Sequence, residues 1–306
     1  MKEEIRQKFC ELLGRERVLF EEPMSRHTTF RIGGPAEVFL MPESYEHIQK
    51  ALKLCIDENI PWFVLGNGSN LLVSDSGYRG VIIQMDRNMG AIRLEGNEIR
   101  ACGGALLSSI AAAAKKASLT GFEFAGGIPG TLGGAVMMNA GAYGGEMKDV
   151  LKEVTVMTKK GEICTLPAES LEMGYRTSII KTAGYLVLEA VIALEKGDET
   201  AIQEKMKELA DRRIEKQPLE FPSAGSTFKR PEGYFAGKLI MDSGLGGYRI
   251  GGAMVSEKHC GFVINAGGAT AEDVRELMDH IIRTVKERFG VTLEPEVRFL
   301  GDFNRR

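Results

Sequence analysis

Apolar positions recur with a helical period in four stretches of the chain, at residues 2–13, 44–58, 199–216 and 270–289. In the last stretch, one face is predicted to be buried and comprises Val274, Leu277, Met278, Ile281, Ile282, Val285 and Phe289. Thr270 and Asp273 predict a capping box before this helix, and Gly290 predicts a left-handed end after it. A run of small residues at 105–118 predicts a fifth helix.

Short apolar runs between these helices predict strands. They lie at residues 61–65, 71–73, 81–83, 151–157, 162–166, 186–194 and 291–300. The alternation of helix and strand in the first 80 residues is typical of an α/β unit. Pro295 lacks the N–H that a sheet ladder needs, so the last strand is expected at an edge, at a bulge or lining a site. The change of composition at about residues 198–220 is the preferred domain boundary.

The composition is that of a folded protein in a reducing compartment. The chain has 306 residues, a net charge of −3 and 43% hydrophobic residues, so we expect neither disorder nor non-specific binding to nucleic acid or membranes. Five scattered cysteines form no C-x-x-C pair and four histidines form no H-E-x-x-H motif, so no metal site is expected. No apolar run approaches the roughly 18 residues of a spanning helix, and a cytoplasmic location is expected.

The segment 121–145 carries the densest chemical signal, since nine of its 25 residues are glycine. Such backbone can approach a phosphate closely, although tight turns between strands would explain the composition nearly as well. A second glycine-rich turn, residues 66–70, follows a predicted strand. No P-loop motif occurs, and Leu71 stands where the third glycine of a G-x-G-x-x-G motif belongs. Two separate turns suit a long dinucleotide such as FAD better than a mononucleotide.

Three polar segments could supply charged chemistry. Small residues precede Ser226, and Lys229 and Arg230 follow it with positive charge that suits a phosphate or carboxylate. Arg176 stands among a tyrosine and hydroxyl residues, where it could hold a carboxylate through two hydrogen bonds. Glu296 lies on the last predicted strand. Each segment taken alone is also compatible with an ordinary polar surface.

Seven segments, taken in order, resemble the UDP-N-acetylenolpyruvoylglucosamine reductases, flavoenzymes of bacterial cell-wall synthesis. They are HTTFRIGG (27–34), LGNGSNLL (65–72), GGIPGTLGGA (126–135), MNAGAY (138–143), YRTS (175–178), AGSTFK (224–229) and EPE (294–296). Any one of these segments is modest support. The ordered set covers nearly the whole chain and is highly specific.

The resemblance implies an α+β fold with a vanillyl-alcohol-oxidase-type FAD-binding domain in two α/β subdomains, residues 1–80 and 81–198. A C-terminal α/β substrate domain would cover residues 199–306. FAD would be bound without a covalent link, because Pro35 rather than a histidine follows the Gly33-Gly34 turn. The shorter subtype is expected, since residues 230–290 contain no insertion for an extra tyrosine-bearing loop. The residues expected at FAD are Gly66, Asn67, Gly68, Ser69, Asn70, Gly126, Gly127, Ile128, Pro129, Gly130, Thr131, Gly133, Gly134, Ala135, Asn139, Ala140 and Gly141.

The implied reaction reduces UDP-N-acetylglucosamine enolpyruvate to UDP-N-acetylmuramate, a peptidoglycan precursor, with NADPH as hydride donor. By the family pattern Ser226 donates a proton, while Arg176 and Glu296 stabilise an enolate. An anionic glutamate would repel the enolate, so Glu296 must be protonated or act through a hydrogen-bond donor. The residues expected to hold the substrate diphosphate and sugar are Tyr175, Lys216 and Lys229. A monomer without nucleic-acid or membrane partners is expected.

Two other functions stay compatible with the sequence. A flavin oxidase acting on another alcohol or sugar is disfavoured by the Ser226 and Glu296 pair, because an oxidase needs a base and oxygen access rather than a proton donor. A nucleotide-sugar-binding protein without catalytic activity would use the glycine-rich segments for its ligand, and no flavin would co-purify with it.

Overall fold

A computed structural model describes residues 1–303, and its helices follow the hydrophobic pattern. Within these residues it has eight α-helices: α1 (Glu3–Leu13), α2 (Tyr45–Asp57), α3 (Leu107–Lys116), α4 (Leu132–Met138), α5 (Ile179–Ala183), α6 (Glu199–Lys216), α7 (Ala236–Asp242) and α8 (Ala271–Phe289). The five predicted helices are α1, α2, α3, α6 and α8, and each end lies within two residues of its prediction. No helix among residues 1–303 is long and apolar enough to cross a membrane.

Eighteen strands alternate with the helices in the part of the chain that the structure describes. They are β1 (Val18–Pro23), β2 (Pro35–Leu40), β3 (Trp62–Leu65), β4 (Leu71–Val73), β5 (Tyr78–Gln84), β6 (Ile92–Glu95), β7 (Glu98–Cys102), β8 (Leu119–Thr120), β9 (Gly141–Ala142), β10 (Gly145–Glu146), β11 (Leu151–Met157), β12 (Ile163–Pro167), β13 (Leu186–Ala193), β14 (Glu195–Lys196), β15 (Arg249–Ile250), β16 (Ala253–Val255), β17 (Val263–Asn265) and β18 (Arg298–Leu300).

Two sheets contain half of these strands. The first has the order β1-β2-β5-β3, and its β3–β5 pair is parallel. The second has the order β12-β11-β13-β7-β6 and is antiparallel in every pair. The other strands form small sheets of two or three strands. Helices and largely antiparallel sheets thus give the α+β class that was predicted.

The chain divides into two compact units, each assembled from segments that are distant in sequence. Unit 1 consists of Met1–Leu19, Val38–Asn67 and Gly80–Arg213. Unit 2 consists of Phe20–Glu37, Gly68–Arg79 and the chain from Ile214 onward. The division into three domains at residues 80 and 198 stays a prediction.

The core of unit 1 lies between the five-stranded sheet and helices α3 and α4. Strand residues Val154, Val156 and Ile192 are completely buried, and so are Leu107 and Ile110 of α3. The small residues of α3 allow it to pack closely, because an alanine stripe keeps the helix near its neighbours. This packing places the start of α4, and with it the glycine-rich segment, against the sheet.

The core of unit 2 is built on α8. Thr270 and Asp273 form the predicted capping box, and Gly290 ends the helix with φ 71°. Five members of the predicted apolar face are buried and Ile282 is partly buried. The prediction for Phe289 was wrong: it is 39% exposed, because α8 ends there and the chain turns away at Gly290.

The strand predicted over residues 291–300 forms only in its last three residues. Arg298–Leu300 pairs in parallel with β4. Upstream, Pro295 makes a single bridge to Phe228, since proline has no N–H with which to continue a ladder. Residues 294–296 therefore lie as an irregular segment beside residues 227–229, and this arrangement positions Glu296.

Candidate active site

In unit 1 the two glycine-rich segments lie side by side. Asn67 Nδ2 donates a hydrogen bond to the carbonyl oxygen of Pro129 at 2.8 Å. A methyl group at Gly66 would overlap the hydroxyl of Thr131, which is itself buried. The chain therefore requires glycine at position 66 for this close approach, and the structure brings Gly66 and Asn67 next to residues 129–131.

Backbone hydrogen bonds fix the segment before α4. The Gly130 carbonyl in this segment accepts from the Leu107 N–H at 3.1 Å, and in the first turn of α4 the Gly133 N–H donates to the Gly103 carbonyl at 2.8 Å. Gly127 lies against the side chain of Arg213, since a methyl group there would be 3.2 Å from Arg213 Nη1. Burial lowers the pKa of Arg213, and the nearby Tyr143 partly opposes this effect. The position of Arg213 beside the glycine-rich segment could not be predicted from the sequence, because a single arginine among the many charges of α6 carries no motif.

Residues 139–141 are held by protein contacts. Asn139 follows α4 with φ 42° and is 1% exposed. Its Nδ2 donates to Glu146 Oε2 at 2.7 Å and to the Gly174 carbonyl at 3.2 Å, and its Oδ1 accepts from Lys148 N at 3.0 Å. The Ala140 N–H donates to the protein backbone. The structure thus places these predicted FAD residues beside the other glycine-rich residues but uses the Asn139 amide internally.

The second half of the 66–70 loop belongs to unit 2. Gly68 has φ 62°, and a methyl group there would overlap the carbonyl oxygen of His27. Among residues 1–303, no protein group accepts a hydrogen bond from the backbone N–H groups of Gly68, Ser69 and Asn70. Successive N–H groups of this kind suit an anion such as a phosphate.

Thr227, which follows Ser226, lies next to Glu296 in unit 2 although the two segments are distant in sequence. The buried Thr227 accepts from the Glu296 N–H at 2.8 Å through its carbonyl, and its Oγ1 accepts from the Val263 N–H at 2.8 Å. Asn70 Nδ2 donates to the Glu296 carbonyl at 3.2 Å. The exposed Ser226 therefore precedes a residue that is anchored on two sides, one of them the Glu296 backbone.

Arg176 lies at the tip of a two-residue turn in unit 1. Gly174 and Thr177 close the turn with two backbone hydrogen bonds of 3.1 and 3.3 Å. Arg176 has φ 55°, and its guanidinium carbon lies 5.3 Å from the centre of the Tyr175 ring. The Lys181 ammonium donates to the Arg176 carbonyl.

The residues predicted to hold the substrate differ in their surroundings. Lys229 Nζ forms an ion pair with Glu294 Oε2 at 2.9 Å, and this hydrogen bond lowers the pKa of Glu294. Tyr175 is 57% exposed beside Arg176. Lys216 is the exposed last residue of α6. Each of these side chains is open to solvent at least in part.

The residues of unit 1 fit a dinucleotide cofactor. Glycines allow the loop after β3 to pack on the segment before α4, where larger side chains would block the approach. Close backbone approach is what a pyrophosphate group requires. Within residues 1–303, no group of three or more histidine, cysteine, aspartate or glutamate side chains is placed to hold a metal ion.

Two family descriptions match the chain. Residues 36–167 match an FAD binding domain, and residues 217–300 match the C-terminal domain of UDP-N-acetylenolpyruvoylglucosamine reductase. The first match contains both glycine-rich segments of unit 1. The second contains Ser226 and Glu296.

Relatives match over nearly the full length. A UDP-N-acetylenolpyruvoylglucosamine reductase of Lachnoclostridium phytofermentans is 54% identical over 302 residues, which cover 97% of each chain. The crystal structure of such a reductase from Thermus caldophilus has a TM-score of 0.80 and 36% identity, and covers 93% of this chain and 98% of that one. A 4-ethylphenol oxidase from Gulosibacter chungangensis is 16% identical with a TM-score of 0.50 over 63% of this chain and 42% of its own, a likeness of fold alone.

The FAD binding domain and the reductase relatives define the chain as a flavin-dependent oxidoreductase. The C-terminal domain and the relatives narrow this class further. The chain belongs to the UDP-N-acetylenolpyruvoylglucosamine reductase family.

Replacing Gly66 with alanine is expected to weaken FAD binding by about 5- to 150-fold, which corresponds to the roughly 1–3 kcal/mol that overpacking costs. The new methyl group would overlap the Thr131 hydroxyl and push the two glycine-rich segments apart. The measurement is a titration of the apoprotein with FAD. Gly246→Ala is a matched control, because its methyl group would meet only Cys260 Sγ at 3.4 Å. Unchanged affinity in Gly66→Ala would exclude a role for this contact in FAD binding.

Proposed function

We propose that the chain reduces UDP-N-acetylglucosamine enolpyruvate to UDP-N-acetylmuramate in peptidoglycan precursor synthesis, with non-covalently bound FAD and with NADPH as hydride donor. The observation that carries the proposal is the match over 97% of the chain to a reductase named for this substrate. The backbone bond between Glu296 and Thr227, the neighbour of Ser226 in the chain, adds support from the structure.

The reaction creates negative charge that the protein must stabilise. Bound FAD would supply the transfer of a hydride from NADPH to the methylene carbon of the enolpyruvyl group. The electron pair of the double bond moves to the adjacent carbon and into the neighbouring carboxylate. A proton must then reach that carbon to give the lactyl ether.

Ser226 is the proton donor in this proposal. Its Oγ–H bond breaks and a C–H bond forms at the carbon that carries the charge, and solvent returns a proton to the alkoxide. A serine hydroxyl is a weak acid, so this transfer requires the enolate to be a strong base beside it. Anchoring of Thr227 by the Val263 and Glu296 backbone holds the neighbouring Ser226 in a fixed place.

Arg176 and Glu296 stabilise the enolate before the proton arrives. A fixed guanidinium offers positive charge and N–H donors to the developing oxyanion, which is the same physical device as an oxyanion hole. Glu296 polarises the carboxylate end of the substrate, either protonated or through a hydrogen-bond donor. Its backbone is held on both sides, by Thr227 and by Asn70.

The remaining contacts are assigned by charge and exposure. Tyr175, Lys216 and Lys229 contact the diphosphate and sugar of the substrate; the exposed positions of Tyr175 and Lys216 and the partly exposed position of Lys229 support this assignment. Lys229 would exchange part of its interaction with Glu294 for the diphosphate. We also propose that the enzyme is a monomer and lies in the cytoplasm. The scattered cysteines support the location, because free thiols are typical of a reducing compartment.

An anaerobic absorption experiment tests the proposed function. The purified protein is expected to show a flavin spectrum that denaturation releases as free FAD. NADPH should bleach the flavin band, and UDP-N-acetylglucosamine enolpyruvate should restore it with formation of UDP-N-acetylmuramate. A colourless protein that FAD does not reconstitute would indicate a binding protein. Reoxidation by oxygen with an alcohol substrate, but not by the enolpyruvate, would indicate an oxidase.

A further inference from the structure

Arg176 occupies a backbone conformation that turns usually give to glycine. Its φ of 55° lies in the left-handed region, which is unfavourable for an L-residue because Cβ comes too close to the following carbonyl oxygen. Gly174 and Thr177 close the turn through two backbone hydrogen bonds, and the Lys181 ammonium donates to the Arg176 carbonyl. A non-glycine residue persists in such a conformation when surrounding contacts hold it.

Two of those contacts come from Met137, at the end of α4, and from Asn139, which follows the helix. Asn139 Nδ2 donates to the carbonyl of Gly174, on one side of the turn, at 3.2 Å. Ser178 Oγ donates to the carbonyl of Met137, from the other side of the turn, at 2.8 Å. Asn139 and Ser178 are each 1% exposed, so water cannot replace either bond without cost. The turn is thereby fastened at both sides to the last residues of α4.

The chemistry of Asn139 settles which way its amide points. The Glu146 carboxylate can only accept a hydrogen bond and the Lys148 N–H can only donate one, so Nδ2 faces Glu146 and Gly174. Both amide hydrogens are therefore used within unit 1. Asparagine also tolerates the left-handed φ of 42° that ends α4.

We propose that Asn139 and Ser178 are positioning residues that fasten the Arg176 turn to α4. Through these two bonds α4 and the residue that follows it determine the position of the Arg176 guanidinium. The inference rests on the proposed function, in which Arg176 stabilises the enolate. It gives Asn139 a different role from the direct FAD contact that was predicted from the sequence.

A double-mutant cycle tests the proposal. Asn139→Gly keeps the left-handed backbone and removes the cross-link, and Ser178→Ala removes the second bond. Each is made alone and together with Arg176→Ala, in the FAD-loaded enzyme. Each single variant is expected to lower kcat by up to about 10²-fold, the cost of misplacing a catalytic group by about 1 Å. In the Arg176→Ala background the same changes are expected to have no further effect on kcat.

Two readouts and one control variant separate positioning from a merely structural role. FAD content and the rate at which NADPH bleaches the flavin are expected to stay at the wild-type value in both single variants. Thr182→Ala removes an exposed hydroxyl bond within α5 and is the matched control, with unchanged kcat. If Asn139→Gly fails to fold, Ser178→Ala carries the cycle.

Equal losses of kcat with and without Arg176 would overturn the proposal, and so would a loss of FAD from either single variant. Failure of the proposed function looks different. In that case the wild-type protein itself would not turn over the enolpyruvate substrate, whatever the cycle shows.

Discussion

Ser226→Ala is expected to lower turnover of the enolpyruvate substrate by about 10²–10⁴-fold, the range that general acid catalysis supplies. NADPH should bleach the flavin at the wild-type rate, because the hydroxyl takes no part in that half-reaction. Only reoxidation of the flavin with product formation should slow. Rapid mixing of each half-reaction under anaerobic conditions separates the two steps.

The position of Ser226 makes this variant a clean test. Its side chain is exposed, so removal of the hydroxyl leaves no buried polar group without a partner. Folding and FAD content should therefore be unchanged. Ser223→Ala, three positions earlier in the same segment, is the matched control and should keep wild-type turnover. Full turnover in Ser226→Ala with normal flavin content would exclude Ser226 as the proton donor.

Arg176→Gly is expected to lower turnover by about 10²–10³-fold, as the loss of one oxyanion donor does. The free energy of unfolding of this variant should not fall together with its turnover. Glycine removes about 1–2 kcal/mol of left-handed strain and adds a backbone-entropy cost of about 0.5–1 kcal/mol, so the free energy of unfolding should stay level or rise by up to about 1.5 kcal/mol. Urea unfolding of the FAD-loaded protein, beside steady-state kinetics, measures both quantities.

Arg176→Lys is the companion variant. Lysine keeps the charge but not the planar pair of N–H donors, so the turnover of Arg176→Lys should lie between that of Arg176→Gly and that of the wild type. Wild-type turnover in Arg176→Gly would remove Arg176 from the mechanism. A marked loss of stability would show instead that the turn depends on the arginine side chain.

Local pattern was sufficient to predict five of the eight helices and seven of the eighteen strands among residues 1–303, one of these strands only in part. Four segments with a helical apolar period and one run of small residues became helices, because these signals depend on residues only one or two turns apart. The exact span of α6 and the caps of α8 follow from residues within that range. Ordered motifs likewise pointed to the FAD-binding domain, since each is short and contiguous.

Two predictions from local pattern were wrong, because the end of a helix or a long-range contact determined the structure at those residues. Phe289 continues the apolar face of α8, but the helix ends there and leaves the side chain 39% exposed. Residues 291–297 are apolar enough for a strand. Pro295 could not extend its bridge to Phe228, and the segment settled beside Thr227 instead.

The sequence by itself determined the five longest helices, seven of the strands, the family and the residue types available for chemistry. These depend on neighbours in the chain, where periodicity and motif spacing are visible. Only the tertiary structure decided that Thr227 holds Glu296, that Arg213 lies on Gly127, and that Asn139 bonds the Arg176 turn. Single hydrogen bonds between distant segments leave no period in the sequence, because they arise only when the folded core brings those segments together.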